Sequence, residues 1–159
     1  MTKDLIQSYA TRVAGASRSE LIVIMYEIIL SDIDSAKKAF DLNEMDIYTK
    51  DLKHAGRFLN ELMGSLDYRY EISFELMSLY IYVNKLIINA VYKKDPKILE
   101  TAESILLKLK YSFEGVSKTD NSGPVMQNTQ QVYAGLTYGK GTLNEVTFDP
   151  NLYNRGFKA

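Results

Sequence analysis

The chain has no cysteine, no tryptophan, one histidine and three prolines in 159 residues. Without cysteine there is no disulfide framework, thiolate nucleophile or zinc ribbon, and His54 alone cannot build a multi-histidine metal site. A cysteine-free chain fits a reducing cytoplasm. An excess of charge of either sign is also lacking. Nineteen basic and twenty acidic side chains leave a formal net charge of −1, which gives no field to hold a nucleic-acid backbone or an anionic membrane. The first fifteen residues, MTKDLIQSYATRVAG, lack the continuous apolar core of a secretion signal. Residues 72–92 approach membrane length, but Glu75 lies near one end and Asn84 and Lys85 near the middle, where hydrocarbon penalises them. Membrane insertion is not expected.

What the chain does have is apolar surface. From Leu76 to Ile88 only Ser78, Asn84 and Lys85 interrupt a run of apolar residues and tyrosines. A helix apolar on all sides must be buried on several of them or offer the spare one to a partner. Twelve tyrosines suit such a surface, because tyrosine gives broad apolar contact and keeps a polar tip in water.

Four segments show helical periodicity. Ser17 with Glu20 has capping-box spacing and opens a helix to about Phe40, on which Ile22, Met25, Ile29, Ile33, Ala36 and Phe40 share a face. Asn43 is read as the cap of a second, with Tyr48, Leu52, Ala55, Leu59, Leu62 and Leu66 as its stripe. A third spans about Glu71 to Lys94, where two lysines suit the negative helix end. Asp95 and Pro96 start a fourth, with Leu99, Ala102, Leu106, Leu109 and Phe113 as its stripe and Gly115 as its stop. Short links and four such stripes predict an all-α fold, an antiparallel up-down four-helix bundle.

This divides the chain into an N-terminal cap segment 1–16, the bundle 17–116 and an irregular C-terminal extension 117–159. The extension is polar at first and then mixes glycine with aromatic residues. Its apolar side chains between Val132 and Phe157 are expected to dock on a bundle, on the same chain or swapped to a neighbour. The oligomeric state is left open.

Three chemical readings are weak. His54 in LKHAGRF invites comparison with a histidine phosphotransfer module, but Gly56 follows two positions later rather than four, and a solvated or half-buried helix residue is the better reading. GLTYGKG at 135–141 lacks the frame of a phosphate loop and reads as a turn. Asp32, Asp34, Asp41, Glu44 and Asp46 gather near the first link and read, with Lys37 and Lys38, as a solvated end of the bundle. Nothing resembles paired catalytic carboxylates, so no enzyme is expected.

Over about residues 9–116 the chain resembles the flagellar export chaperone family FliS. The first-helix pattern is similar at Ser17, Glu20, Leu21, Met25, Tyr26 and Glu27, and the second-helix ending at Asn60, Glu61, Leu62, Ser65, Leu66 and Asp67. Tyr80 and Tyr82 match a Tyr-Asp-Tyr pattern, and Ala90 and Asp95 the end of the third helix. The chain departs from the family where Pro-Gly usually follows the cap and Arg18 and Ser19 stand here. It departs again at Ile28, Ile81, Leu86 and Val91, several of which make the helices more apolar. Tyr9 is one residue closer to Val13 than the usual spacing, and the tail is longer.

The resemblance implies a cytoplasmic, non-enzymatic chaperone with flagellin as partner and no cofactor. It would hold flagellin's C-terminal segment against premature polymerisation and pass it to the flagellar export machinery. Together with the surplus of apolar positions it marks Leu21, Ile24, Ile28, Tyr80, Tyr82 and Leu86 as client-binding candidates, with Tyr9 and Val13 on a displaceable cover. The other reading is a helical adaptor for a different flagellar or unrelated partner.

Overall fold

The computed structural model describes residues 3–126, with side chains from residue 7 onward. The expectations for the tail from 132 to 157 and for the turn at 135–141 lie outside the described residues. Five α-helices follow one another: α1 (Lys3–Gly15), α2 (Arg18–Asp41), α3 (Met45–Gly64), α4 (Ile72–Lys93) and α5 (Leu99–Ser117). No strand occurs among the described residues.

The helix ends follow local chemistry. At the start of α2 the Ser17 hydroxyl accepts from the Glu20 N–H while the Glu20 carboxylate accepts from the Ser17 N–H, the reciprocal box its spacing predicts. Asn43 differs from expectation. It makes no side-chain cap for α3, whose cap position falls on Glu44. Instead Asn43 adopts φ 60° and turns the chain out of α2, so that the Glu44 N–H reaches the Ala39 carbonyl at 2.8 Å. Asparagine tolerates this left-handed conformation better than most residues, and a helix end needs it as often as a helix start needs a cap. Lys94, at φ 51°, ends α4 in the same way.

Asp95 and Pro96 open a single 3-10 turn (Pro96–Ile98) before α5, with the Asp95 carboxylate accepting from the Lys97 N–H at 3.0 Å. Gly115 does not stop α5, which runs to Ser117. Glycine in a helix costs only about 1 kcal/mol, too little to end one that is otherwise supported. The larger difference is α1, because a full helix occupies most of the segment expected only as a cap.

The four longer helices close a ring of contacts. α2 packs against α3 and α5, and α4 packs against the same two, whereas α1 touches α2 through a narrow strip. The expected stripes meet inside: Ile29, Ile33 and Ala36 of α2, Tyr48, Leu52, Ala55, Leu59 and Leu62 of α3, and Leu99, Ala102 and Leu106 of α5. From α4 come Leu76, Tyr80, Val83, Ile87 and Ala90, spaced by three and four.

Two tyrosines from opposite helices, Tyr26 and Tyr80, place their hydroxyls 2.5 Å apart in this interior. A third, Tyr48, donates to the Ala90 carbonyl at 2.9 Å. Burial raises the pKa of the Tyr26 and Tyr80 phenols above the ordinary tyrosine value, most strongly at Tyr26. Among the described residues no buried side-chain polar atom lacks a partner.

Because each hydroxyl of that pair satisfies the other, removing one strands its mate. Tyr26→Phe or Tyr80→Phe alone should cost about 1–3 kcal/mol in urea unfolding. The double variant should cost no more than either single one, and an additive double-mutant cycle would show that the two hydroxyls are independent.

Candidate partner-binding face and its cover

The buried stripe of α4 determines what its other side presents. Opposite Leu76, Tyr80, Val83 and Ile87 runs an outward ridge of Phe74, Ser78, Ile81, Lys85, Ile88 and Tyr92. Phe74, Ile81 and Ile88 are each more than half exposed and repeat every seven residues, a spacing that a second helix can follow. Leu79 and Tyr82 flank the ridge and are also exposed, and Tyr68 from the preceding turn lies with its ring centroid 5.2 Å from that of Phe74.

α4 is long and apolar enough, by length and composition, to cross a membrane, the single such helix among the described residues. Its inward stripe is nevertheless part of the protein core, and Asn84 and Lys85 sit at its middle. Both features favour a protein partner over hydrocarbon.

Beside the ridge, α3 and α4 enclose a groove of about 490 Å³ lined by Leu52, Gly56, Ile87, Ile88, Val91 and Tyr92, with Lys53 and Arg57 along its α3 side. A Cβ at Gly56 would meet only the Asn84 side-chain oxygen, at 3.9 Å, so neither space for a methyl nor backbone conformation requires glycine there.

A second apolar cluster lies under α1. Ala16, Ile24 and Ile28 are buried there, with Tyr9, Val13, Leu21 and Phe58 packed around them. Arg12 pairs with Glu27 of α2, its second guanidinium nitrogen 3.4 Å from the other carboxylate oxygen, and Lys110 of α5 approaches the same carboxylate at 3.9 Å. Next to the cluster is a cavity of about 500 Å³ lined by Tyr9, Ile28, Phe58 and the polar side chains Asp32, Lys50, Asp51, His54 and Arg57.

Asp32 is almost wholly buried, contrary to the solvated acidic end expected for it. Its carboxylate meets His54 Nδ1 at 2.6 Å, and Ser35 donates to Asp51 at 2.6 Å. Burial raises the Asp32 pKa above the ordinary value, and the His54 contact opposes that only in part. Helical spacing carries this signal, since position 32 follows Ile29 by three and precedes Ala36 by four, on the core side of α2. The His54 ring also stands edge-on to Phe58, with centroids 5.1 Å apart.

The eight residues marked from sequence thus fall into three places. Tyr9, Val13, Leu21, Ile24 and Ile28 come together at the α1 contact. Tyr80 is inside the core, and Leu86 packs partly against that core. Tyr82 is exposed on α4. Of the three extra apolar positions on this helix, Ile81 faces outward while Leu86 and Val91 pack inward. Phe74, Ile88 and Tyr92, which sequence reasoning did not single out, complete the outward ridge.

Among the described residues the chain is all-helical, with one helix apolar on its outer side, an open groove beside it and a lightly attached N-terminal helix. The family model for the flagellar protein FliS matches residues 1–120, and the chain belongs to that family. No curated protein sequence matches the chain.

The groove can be tested apart from the core. Gly56→Ala should fold and gain roughly 0.5–1 kcal/mol in thermal or urea unfolding, because the added methyl meets open space and helix propensity improves. A loss of stability would mean that the groove is closed in solution.

Proposed function

We propose that the protein is a cytoplasmic chaperone that binds the C-terminal segment of flagellin. It keeps that segment from polymerising prematurely and presents it to the flagellar export machinery. The observation that carries this reading is the outward ridge of Phe74, Ile81 and Ile88 in a FliS-family chain. A disordered terminus loses conformational entropy when it orders on a chaperone, and a long apolar track beside a groove is the surface that can offset the loss. In this reading the four longer helices form an antiparallel up-down bundle, and the protein acts without cofactor or catalysis.

The client contacts divide by accessibility. Ile81, Tyr82, Ile88 and Tyr92 meet the client directly, with Leu86 at their edge. Leu21, Ile24 and Ile28 become available only when α1, carrying Tyr9 and Val13, moves aside. Tyr80 supports the face from within through its bond to Tyr26 and makes no client contact.

Calorimetric titration with a flagellin C-terminal peptide tests the assignment. Tyr82→Ser combined with Ile88→Ser should weaken binding at least about tenfold, the loss of two exposed anchors at roughly 1 kcal/mol or more each. Helical circular dichroism and melting should change little, because neither side chain is buried. Unchanged peptide affinity would remove α4 from the client site, and absence of binding by the parent protein would favour an adaptor for another partner.

A further inference from the structure

After α5 the chain does not leave the helices directly. Residues 119–126 run back to the junction where α1 ends and α2 begins. The Asp120 carboxylate accepts from the Ser19 hydroxyl and, at 3.4 Å, from the Ser19 N–H in the first turn of α2. Ser122 closes the same carboxylate with its N–H at 2.9 Å and its hydroxyl at 2.5 Å. Five residues after Asp120, the Val125 N–H donates to the Ala16 carbonyl at 3.1 Å. Ala16 and Ser17 are the whole connection between the two helices, so these bonds grip the hinge on which α1 would turn.

The chemistry at this point is well matched. The first N–H groups of a helix have no partner within it, and the helix dipole makes the N-terminus favourable for a carboxylate. In α2 the Ser17 hydroxyl takes the Glu20 N–H and Asp120 takes the Ser19 N–H. The Ser17 and Ser19 hydroxyl oxygens lie 3.2 Å apart, which joins the capping box to the returning chain.

We propose that residues 119–126 form a strap that fixes the α1–α2 hinge from the far end of the chain, making the seating of α1 and of the strap one coupled event. Whatever lifts α1 loosens the strap, and whatever pulls on the strap frees α1, because coupling between two sites is reciprocal. α1 is suited to such control, since its own footing is Tyr9, Val13 and the Arg12 pair with Glu27. The consequence for client binding rests on the function proposed above; the coupling itself does not.

Amide hydrogen exchange on the full chain separates the two. Asp120→Ala removes the acceptor shared by Ser19 and Ser122, and Val125→Pro independently removes the donor to Ala16. Each should speed exchange in α1 about three- to tenfold, the closing free energy of one or two hydrogen bonds, with α3 and α4 unchanged. Each should also strengthen flagellin-peptide binding by a similar factor. Unaltered α1 exchange in both variants overturns the strap, and so does uniform acceleration or global unfolding, which would make the segment a brace of the whole fold. Faster α1 exchange without peptide binding by any form upholds the strap and rejects the client.

Discussion

A helix with two neighbours can bury one stripe, and the stripe that α4 buries determines the rest of the molecule. Leu76, Tyr80, Val83, Ile87 and Ala90 take the inner positions between α3 and α5. The remaining apolar residues of a segment with so few polar interruptions must then point out. Ile81 and Ile88 are consequences of that geometry as much as Tyr80 is, because each lies about half a turn from a residue the core requires. The protein thus carries on one helix both the side that holds it together and a side that water does not favour. The hydroxyl pair of Tyr26 and Tyr80 adds direction to the inner side, since rotating α4 to hide the ridge would strand two buried phenols.

The contrast between α1 and α2 follows from the same accounting of surface. α2 is buried by α3 and α5 along its length, while α1 meets α2 along a narrow strip. Elements with few buried contacts open most easily, so the sequence of local opening in this fold begins at its N-terminus. The charged groups around α1 do little to change that. Arg12 and Glu27 are partly exposed, and ion pairs in such positions contribute between nothing and about 1 kcal/mol. The buried Asp32 with His54 beneath the adjoining cavity is different in kind, because its desolvation is incurred once, within α2 and α3, and does not depend on α1 for its hydrogen bond.

Much of this was legible in the sequence where periodicity and caps speak together. Ser17 and Glu20 located the start of α2, and the stripes of α2, α3 and α5 are the stripes that meet in the core. Asn43 does lie at a helix boundary but serves it through its left-handed backbone and not as a side-chain cap, whereas Gly115 is passed over because one glycine costs too little to end a supported helix. The α1 helix was missed because its apolar positions are sparse and its support comes from Ile24 and Ile28, residues far along another element. On α4 an almost wholly apolar window gives no phase, so sequence could mark the helix as unusual without telling Tyr80 from Ile81. Neighbours α3 and α5 supply that phase, and only a fold contains them. Asp120 shows the limit most clearly, since its partner Ser19 is 101 positions away.

A cover that competes with a client lowers the client's apparent affinity by the fraction of time the cover is open. A cover open about one per cent of the time would cost roughly a hundredfold, or about 2.7 kcal/mol, which an apolar track of several anchors can return. A cover buried as deeply as α2 would cost far more and would never be displaced. Under the function proposed above, the narrow footing of α1 matches what exchange between cover and client demands, and the hinge at Ala16 and Ser17 is where small energies would have the largest leverage. In the proposed coupling, the hydrogen-bonded contacts at Asp120 and Val125 act at that hinge, each worth about 0.5–1.5 kcal/mol net or somewhat more where the acceptor is charged, enough to shift the closed fraction severalfold.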